Sequence, residues 1–513
     1  MKRLFALFIA LLLLGGCAGE GDYTPTGDGL SWDEDYTGPV ATRPQEQKGE
    51  DIALPCYQEI TINPIQCTDD TNRAFSSLLY QGLFTVDRNY SVEPMLCGKY
   101  SMSGDMKQYV FYVDQAATFS DGSQVTAADV HACLLAAKDS AYYGGRFLHI
   151  KTVELTEDGG VSVSLDTACE NLPILLDIPI IPQEQLESER PIGSGPYTLD
   201  TTGSNWVLRR RTNWWCSGEI APNADTIVLA KAQSATQIRD DFQFADLNLV
   251  VTNPCSDKYT DYRSDYELWD FESGAFTYIA FSGSSPVFDT PEFRAALTYV
   301  VDRDTLAEDY YRGFGKSATL PASPMSPYYN KALADRYTYD PEKFRTLVQE
   351  LGKEGQEVRF LVNSEDSLRV RAARVIADEM TRAGLVVTMI ERSGDEYVSA
   401  IRNRVFDIYM GQTKLSANMD LTAFFHARGA LSLGGVDDTQ AYALCLQALE
   451  NHGNYYTLHQ NIMDRGLLCP VLFCAKGVYA ARGAVTDLSP SRDNLSFYSI
   501  GKTMESAFIR SAE

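Results

Sequence analysis

The amino-acid sequence predicts an α/β protein with more than one hydrophobic core. Three observations support this fold class. Roughly 460 residues follow position 50, more than one core usually accommodates. Strands, turns and one helix are indicated between about residues 72 and 184, and a regular alternation of strands with helices follows residue 270. We therefore expect two or three domains.

The first 16 residues have the pattern of a signal peptide. Lys2 and Arg3 precede an apolar run from Leu4 to Leu14, which is too short to span a bilayer permanently as an uncut helix. Small residues stand immediately before Cys17, and this ending resembles the bacterial lipobox. The resemblance implies cleavage before Cys17 and attachment of lipid to its sulfur and new amine. A plain secretory signal with an incidental cysteine is the alternative, and either interpretation exports the protein.

Residues 17–50 are predicted to form a flexible tether. They are rich in Gly, Pro, Thr and acidic residues and have no helical or strand period. No second apolar stretch approaches the ~20 residues of a membrane helix, since residues 171–182 are few and contain Asp177 and three prolines. The sequence therefore predicts a body on the extracytoplasmic face of the cell membrane, attached through its lipid anchor only.

The chain is strongly acidic, which bears on its partners. Its formal charge is −25, and removal of residues 1–16 deletes two of the 44 bases and none of the 69 acids, which leaves −27. Nucleic acids and anionic membrane patches need basic surface, so the sequence predicts neither as a partner.

The cysteines and histidines indicate no metal or cofactor site. Ten cysteines follow Cys17, an even number that permits disulfides, and a set of reduced, buried thiols is the alternative. No C-x-x-C pair occurs. His452 and His459 are about two helical turns apart, too far for both rings to bind one ion readily. We therefore expect no metal and no cofactor.

Local patterns predict the elements between residues 72 and 184. Residues 108–114 alternate as a strand does, and residues 153–165 place Asp158-Gly159-Gly160 between two alternating runs, which predicts a hairpin. Thr126 stands three residues before Asp129 at the start of an apolar stripe of helical period. This spacing predicts a capped amphipathic helix.

After residue 270 strands alternate with helices. Thr290-Pro291 and Asp340-Pro341 each have the chemistry of a helix start. The elements predicted beyond them are a strand at 358–363, a helix at about 368–383, a strand at 385–391, a short helix near 395–403 and a strand at 405–410. Such an alternation calls for crossover connections and a largely parallel sheet.

Five phrases occur in a set order between Ile52 and Ile500. They are LYQGLFTVDRNYSVEPMLCGKYSMSGDMKQYVFYV, ATFSDGSQVTAADVHACLLAAK, IGSGPYTL, RTNWWCSGEIAPNADTIVL and YIAFSGSSPVFDTPEFRAALTYVVDRDTLAEDYYRG. The second phrase resembles a stretch of the form F-x-D-G-x-x-V-T-A-x-D-V. Together, behind a lipobox, they resemble the extracellular solute-binding proteins of family 5, the peptide and nickel binding proteins that serve ABC importers.

The resemblance implies a two-lobed fold like that of the periplasmic binding proteins, of type II and cluster C, with an extra subdomain inserted in the first lobe. Residues 51–270 and 475–513 would build the first lobe, with residues 72–184 as its insertion, and residues 271–474 the second lobe. The ligand would lie in the cleft between the lobes, where hinge closure buries it.

The resemblance also implies a function. It indicates a monomeric substrate-binding lipoprotein that captures a peptide or peptide-sized organic solute and delivers it to an ABC importer permease. A ligand-sensing or interaction lipoprotein on the same scaffold, without transport, is the alternative. No enzyme is expected, because Ser194 lies in a turn that is not G-x-S-x-G and no nucleophile with a base is visible.

The segment 406–425 bears most on the choice of ligand. In the peptide-binding members the corresponding stretch reads like G-W-x-A-D-Y-x-D-P, and its aspartate pairs with the α-ammonium of the peptide. Aligned at Gly411, this chain has Gln412 for the tryptophan and Leu415 where the aspartate would stand. Lys414 between them would repel an ammonium group. The resemblance therefore implies weak binding of peptides with a free amino terminus.

Further ligand candidates lie later in this segment and at the entry to the second lobe. Asn418 and Asp420 would replace the missing anchor if the loop shifts. Ser282 stands where the family has the asparagine of an F-N pair. The predicted ligand contacts are Ser282, Gln412, Lys414, Asn418 and Asp420. The alternative is a loop that points to solvent and leaves the ligand untouched.

Overall fold

The computed structural model describes residues 52–218, 220, 222–256, 259, 261–262, 266–435, 438–484, 489–490, 492 and 495–496. The predicted signal peptide and tether, including Cys17, lie outside these residues. The described residues belong to one compact unit. No helix among them is long and apolar enough to cross a membrane.

Nineteen strands occur in the described part of the chain. In order they are β1 Ile52–Cys56, β2 Phe84–Val86, β3 Val92–Pro94, β4 Cys97–Met102, β5 Gln108–Val113, β6 Ile150–Leu155, β7 Val161–Leu165, β8 Tyr197–Asp200, β9 Trp206–Arg210, β10 Thr226–Lys231, β11 Leu249–Thr252, β12 Tyr266–Phe281, β13 Gly315–Ser317, β14 Glu357–Asn363, β15 Val386–Arg392, β16 Ile408–Lys414, β17 Cys469–Ala481, β18 Ser489–Pro490 and β19 Leu495–Ser496.

Thirteen α-helices lie among the described residues. They are α1 Asp70–Ala74, α2 Ser76–Leu79, α3 Ala127–Lys138, α4 Ala235–Gln243, α5 Pro291–Ala296, α6 Arg303–Thr305, α7 Lys331–Ala334, α8 Pro341–Glu350, α9 Ser367–Arg382, α10 Gly394–Arg402, α11 Thr422–Phe425, α12 Thr439–Glu450 and α13 Tyr455–Asp464. Single turns of 3₁₀-helix occur at Gly144–Phe147, Leu172–Leu175, Gln183–Gln185, Leu297–Val300 and His452–Asn454, and a π-helical turn occurs at Leu306–Tyr310.

Three larger sheets organise these strands. One four-stranded sheet has the order β1-β10-β9-β8, and a second has the order β4-β5-β7-β6 and is antiparallel throughout. The largest has seven strands in the order β11-β17-β12-β16-β14-β15, with β13 also paired to β17. The long strands β12 and β17 pair with each other from Tyr266 to Ile279 and form the centre of this sheet.

Most locally encoded elements are where the sequence predicts them. The capping box of α3 forms, with Thr126 and Asp129 bonded to each other's backbone N–H. The predicted hairpin is the antiparallel pair β6 and β7, and Gly159 in its turn has a φ of 85° that favours glycine. Thr290 and Asp340 cap α5 and α8 with their side chains, as the following prolines indicated.

The large sheet differs from the prediction in two ways. Only β15, β14 and β16 are parallel, whereas β12 pairs antiparallel with both β16 and β17, so the sheet is mixed rather than largely parallel. The last predicted strand, 405–410, instead runs from Ile408 to Lys414. The shift occurs because the backbone of Asp407 accepts the N–H of Ser282, while Gly411 to Lys414 continue the ladder with β12.

Candidate functional site

A cavity of about 220 Å³ lies where α1 approaches β11, β12, β16 and β17. Arg73, Tyr142, Lys414 and Lys476 line it, so its wall is built from segments far apart in the sequence. A second cavity, of about 260 Å³, lies between α3 and β6 and draws only on residues 134–154. The first cavity is the candidate binding site because polar groups converge on it from several elements.

An irregularity in β12 shapes one wall of this cavity. The pairing of β12 with β17 shifts register between Glu272 and Phe276. Gly274 lies in this bulge with a φ of 72°, and a Cβ atom at this position would overlap the guanidinium of Arg492, which also lines the cavity. The carbonyl of Gly274 accepts the N–H of Leu415, 3.0 Å away. Glycine is therefore needed here both for its backbone conformation and for the close approach of Arg492.

The short helix α1 brings two charged residues, Asp70 and Arg73, to the cavity wall. Asp69 caps the helix by accepting the N–H of Asn72 at 2.9 Å. Asp70 and Arg73 are three residues apart and therefore lie on the same face of the helix. Asp70 forms an ion pair with Lys476 of β17. The cap thus fixes the turn from which both side chains reach the cavity.

Arg73 is held by neutral groups alone among the described residues. Its Nη1 donates to the carbonyl oxygens of Pro64 and Cys67, at 3.1 and 3.0 Å, and its Nη2 donates to the hydroxyl of Tyr143 at 2.9 Å. Its Nε is buried and has no hydrogen-bond partner in the described part of the chain. Burial lowers the pKa of Arg73, but the contacts with Tyr143 and Tyr142 outweigh it and raise the pKa above its usual value.

Tyr142 contacts two cations in the cavity. The guanidinium carbon of Arg73 lies 3.3 Å from the centroid of the Tyr142 ring, and the Nζ of Lys414 lies 3.7 Å from the same centroid. Both distances are within the range in which a ring face attracts a cation. Tyr142 therefore holds the positive groups of Arg73 and Lys414, which are far apart in the sequence, at the same cavity.

The cavity is basic although the chain is acidic. Among the described residues that line it, Arg73, Lys414, Lys476 and Arg492 are basic and Asp70 is the only acid. The whole chain carries 69 acidic and 44 basic residues. A basic lining inside an acidic protein concentrates a positive field where a solute would bind.

The predicted ligand contacts on β16 have different surroundings. Lys414 is exposed and lines the cavity. Gln412 points along the sheet, where its Nε2 donates to the hydroxyl of Thr277 at 3.0 Å and contacts the sulfur of Cys474 at 3.5 Å. Leu415, which stands where the resemblance implied an acid, is buried. The chain therefore turns inward directly after Lys414.

Asn418 and Asp420 lie in a third, much smaller cavity of about 20 Å³. Asp420 accepts from the Nε2 of His149 at 3.1 Å and from the N–H of Thr422 at 2.8 Å. The side-chain oxygen of Asn418 accepts from the hydroxyl of Ser416 at 2.7 Å. This space holds about one water molecule, so neither residue shares a site with Lys414.

Ser282 is buried in the turn that follows β12. Its hydroxyl lies 3.1 Å from that of Ser284, and its N–H donates to the backbone oxygen of Asp407 at 2.9 Å. Asp407 in turn accepts from the Nε of Arg359 at 3.0 Å and from the hydroxyl of Ser285 at 2.9 Å. Ser282 thus belongs to a local polar network, away from the residues that line the candidate cavity.

Several residues that resemble catalytic or metal-binding groups have other surroundings. The hydroxyl of Ser194 is buried without a hydrogen-bond partner among the described residues, and its carbonyl accepts from Trp214 at 2.9 Å. His459 is fully buried, and burial lowers its pKa to about 3. All ten cysteines after Cys17 are free thiols in this structure, which favours the reduced alternative. No group of three metal-ligating side chains occurs within the described ranges.

Sequence reasoning missed Arg73, Tyr142 and Lys476. The cap of α1 can be read from Asp69, but a five-residue helix has no apolar period that shows which face is buried. The partner of Asp70 is Lys476, about 400 positions further along the chain. No local pattern carries such a contact, so only the folded chain identifies these residues.

Solved structures of known proteins share the fold of this chain. HbpA2 from Haemophilus parasuis superimposes with a TM-score of 0.73 at 17% identity, covering 89% of this chain and 100% of HbpA2. The ABC transporter substrate binding protein CtaP from Listeria monocytogenes superimposes with a TM-score of 0.68 at 18% identity, covering 88% of this chain and 100% of CtaP. These likenesses establish the type II periplasmic-binding-protein fold.

The sequence comparisons identify the same group. The glutathione-binding protein GsiB of Shigella boydii serotype 4 (strain Sb227) is 25% identical over 307 residues, which are 57% of this chain and 59% of GsiB. The model of the middle part of the bacterial extracellular solute-binding proteins of family 5 matches residues 91–429. The chain belongs to the family 5 bacterial extracellular solute-binding proteins.

Proposed function

We propose that this protein is the substrate-binding lipoprotein of an ABC importer and captures a peptide or peptide-sized organic solute in the cavity beside Tyr142. Family membership supports solute binding, and the convergence of Arg73, Lys414 and Lys476 on one cavity carries the assignment of the site. CtaP, a structural relative, bears the name of an ABC transporter substrate binding protein, and GsiB bears that of a glutathione-binding protein. No catalytic step is part of the proposal.

Capture is proposed to occur by closure of two lobes. The predicted lobe boundaries, at 270/271 and 474/475, fall within β12 and β17, which pair across both positions. Arg73 belongs to the predicted insertion of the first lobe and Lys414 to the predicted second lobe. A ligand that contacts both residues only when the lobes are closed would shift the population towards closure.

Of the five ligand contacts predicted from the sequence, we propose Lys414 as a contact within this cavity. Ser282, Gln412, Asn418 and Asp420 stay predictions, because each side chain already has a partner within the protein. The lipid anchor at Cys17 is proposed on the pattern of the first 16 residues. It would hold the protein at the outer face of the cell membrane, within reach of an importer permease, and the protein is proposed to act as a monomer.

The test begins with native mass spectrometry of the purified mature protein, which detects a co-purified ligand by its mass. Calorimetry with glutathione and with free and N-acetylated dipeptides and tripeptides then measures affinity. Small-angle X-ray scattering should report a smaller radius of gyration with a compound that binds. A compound that binds tightly and leaves the scattering curve unchanged would remove the closure mechanism. Turnover of a bound compound would contradict the non-catalytic assignment.

Transport is separated from sensing by an uptake assay. Cells that lack the protein should lose accumulation of the radiolabelled ligand, and expression of the intact chain should restore it. Normal uptake in the deletion strain, together with a lost transcriptional response to the ligand, would favour the sensing alternative.

A further inference from the structure

We infer that the cavity beside Tyr142 selects a solute with an anionic group, such as a carboxylate, and discriminates against an ammonium group. The inference rests on the proposed function and names the ligand chemistry of the same site. Arg73 and Lys414 are the residues assigned to the anion.

Arg73 presents a charge that no described acid neutralises. Its three hydrogen bonds go to two carbonyl oxygens and one hydroxyl, all neutral acceptors. Lys476 and Arg369 have carboxylate partners in Asp70 and Asp366. The buried Arg303, like Arg73, is held by neutral acceptors among the described residues, but only Arg73 of these two lines the cavity. A cation at a cavity wall without a counter-charge is stabilised when an anion enters, because the anion replaces the lost solvation. Arg73 therefore favours a negatively charged ligand.

Lys414 adds a second positive charge at short range. Arg73 and Lys414 lie 3.3 and 3.7 Å from the same ring centroid, so their charges are at most about 7 Å apart. Two like charges at this separation repel each other, with some screening by the solvent at the exposed Lys414. A carboxylate within reach of both relieves this repulsion, whereas an ammonium group increases it. Tyr142, which contacts both cations, fixes their positions.

The acids near the cavity do not offset this preference. Asp70 is the only acid among the described lining residues, and it is already paired with Lys476. Leu415 follows Lys414 and is buried, so no carboxylate stands at that position of the loop. Asp420 lies in the separate small cavity and accepts from His149. An ammonium group entering the cavity would therefore find no unengaged carboxylate at these three positions.

The size of the space limits the ligand. A volume of about 220 Å³ is below the roughly 300–1,000 Å³ typical of sites for drug-sized molecules. A compact acid fits this space, for example a dipeptide with a blocked amine or a small dicarboxylate. An extended peptide fits only if its remaining residues lie outside the cavity.

Four probes separate these chemistries in calorimetry on the purified mature protein. The first probe, N-acetyl-alanyl-alanine, has a carboxylate and no amine, and the second, N-acetyl-alanyl-alanine amide, has no charge. The third, alanyl-alanine amide, has only the amine, and the fourth, succinate, has two carboxylates. We expect the acetylated acid to bind at least about tenfold more tightly than its amide and the free amine. Raising the salt concentration from about 50 to about 500 mM should weaken binding of the acetylated acid and leave the affinity for its amide unchanged.

Variants assign the effect to the two residues. Lys414→Gln should weaken binding of the acetylated acid at least about tenfold and leave the affinity for its amide unchanged. Lys331→Gln is the matched control, because Lys331 is 86% exposed on α7 and the substitution removes the same charge. Arg73→Lys keeps the charge and Arg73→Gln removes it, so the acid should bind the first variant more tightly than the second. If Arg73→Gln does not fold, Lys414→Gln alone decides the test.

Each outcome bears on a separate claim. The anion preference is overturned if alanyl-alanine amide binds as tightly as the acetylated acid or more tightly. It is also overturned if Lys414→Gln and Lys331→Gln change the affinity for the acetylated acid equally. Either result leaves solute binding intact. Absence of binding by all four probes and by glutathione, together with no co-purified mass, overturns both the proposed function and the inference.

Discussion

Asp420 provides a test that separates a structural acid from a ligand anchor. Its carboxylate is 6% exposed and accepts from the Nε2 of His149, which is 16% exposed, at 3.1 Å. Asp420→Asn keeps the shape and the oxygen that accepts from Thr422, and it removes the charge opposite His149. A hydrogen bond to a charged partner contributes about 1.5–3 kcal/mol to stability. We expect the variant to lose about 2 kcal/mol of unfolding free energy at mildly acid pH.

The pH dependence gives this prediction a definite sign. Burial lowers the pKa of His149, but the hydrogen bonds to Asp420 and Asp166 outweigh it, so the folded-state pKa is raised above 6.5. A raised folded-state pKa means that the stabilisation is fully present below the unfolded pKa and is lost as pH rises through the folded pKa. The difference between wild type and Asp420→Asn should therefore be largest near about pH 6 and smaller near about pH 9.

Urea unfolding followed by circular dichroism at both pH values measures this difference. Asp335→Asn is the control, since Asp335 is 58% exposed and pairs with an exposed lysine, and it should change stability by less than about 0.5 kcal/mol. Calorimetry on Asp420→Asn should find wild-type affinity for N-acetyl-alanyl-alanine, because Asp420 does not line the cavity. Unchanged stability combined with lost ligand binding would refute the structural role and restore Asp420 as an anchor.

The remaining predictions concern the anchor, a buried arginine and the thiols. Cys17→Ala should release a folded body from the membrane fraction, and membrane retention of this variant would contradict lipidation. Arg303→Met should lower the unfolding free energy by about 3 kcal/mol, measured by urea unfolding, because it strands the carbonyl groups of Ala318 and Pro470 to which Arg303 donates. The nine buried thiols after Cys17 should resist Ellman's reagent until denaturation, and burial raises the pKa of one of them, Cys133, to about 12. Rapid labelling of these nine in the native state would contradict their burial.

Elements with their own start and stop chemistry were predictable from the sequence. The Thr126 cap, the Gly159 turn and the prolines that begin α5 and α8 act within a few residues, so each can be read without the rest of the fold. The direction of strands in the large sheet was not predictable in this way. It depends on β17, which reaches β12 only after nearly 200 intervening residues.

The same distinction applies to the candidate binding site. Lys414 was predicted as a ligand contact because it follows Gly411 by three residues in a segment that could be aligned with a known family. Arg73 and Tyr142 were not, because their relation to Lys414 exists only across the folded chain. Ser282 and Gln412 stay predicted ligand contacts, although their polar side chains already bond to neighbours within the sheet and its turn. Sequence position indicates which residue stands near a site and leaves its partners undetermined.

The placement of the two cations links ligand choice to the proposed motion. Arg73 and Lys414 come from segments on either side of the predicted hinge, and both contact the ring of Tyr142 in the present conformation. A ligand changes a conformational equilibrium only through the difference between its affinities for the two states. An anion that contacts both cations at once has that difference, because separating the segments removes one contact. In this arrangement the charges of Arg73 and Lys414 both select the solute and drive closure. A neutral solute of equal size would therefore bind more weakly, and it would also shift the population less towards the closed conformation.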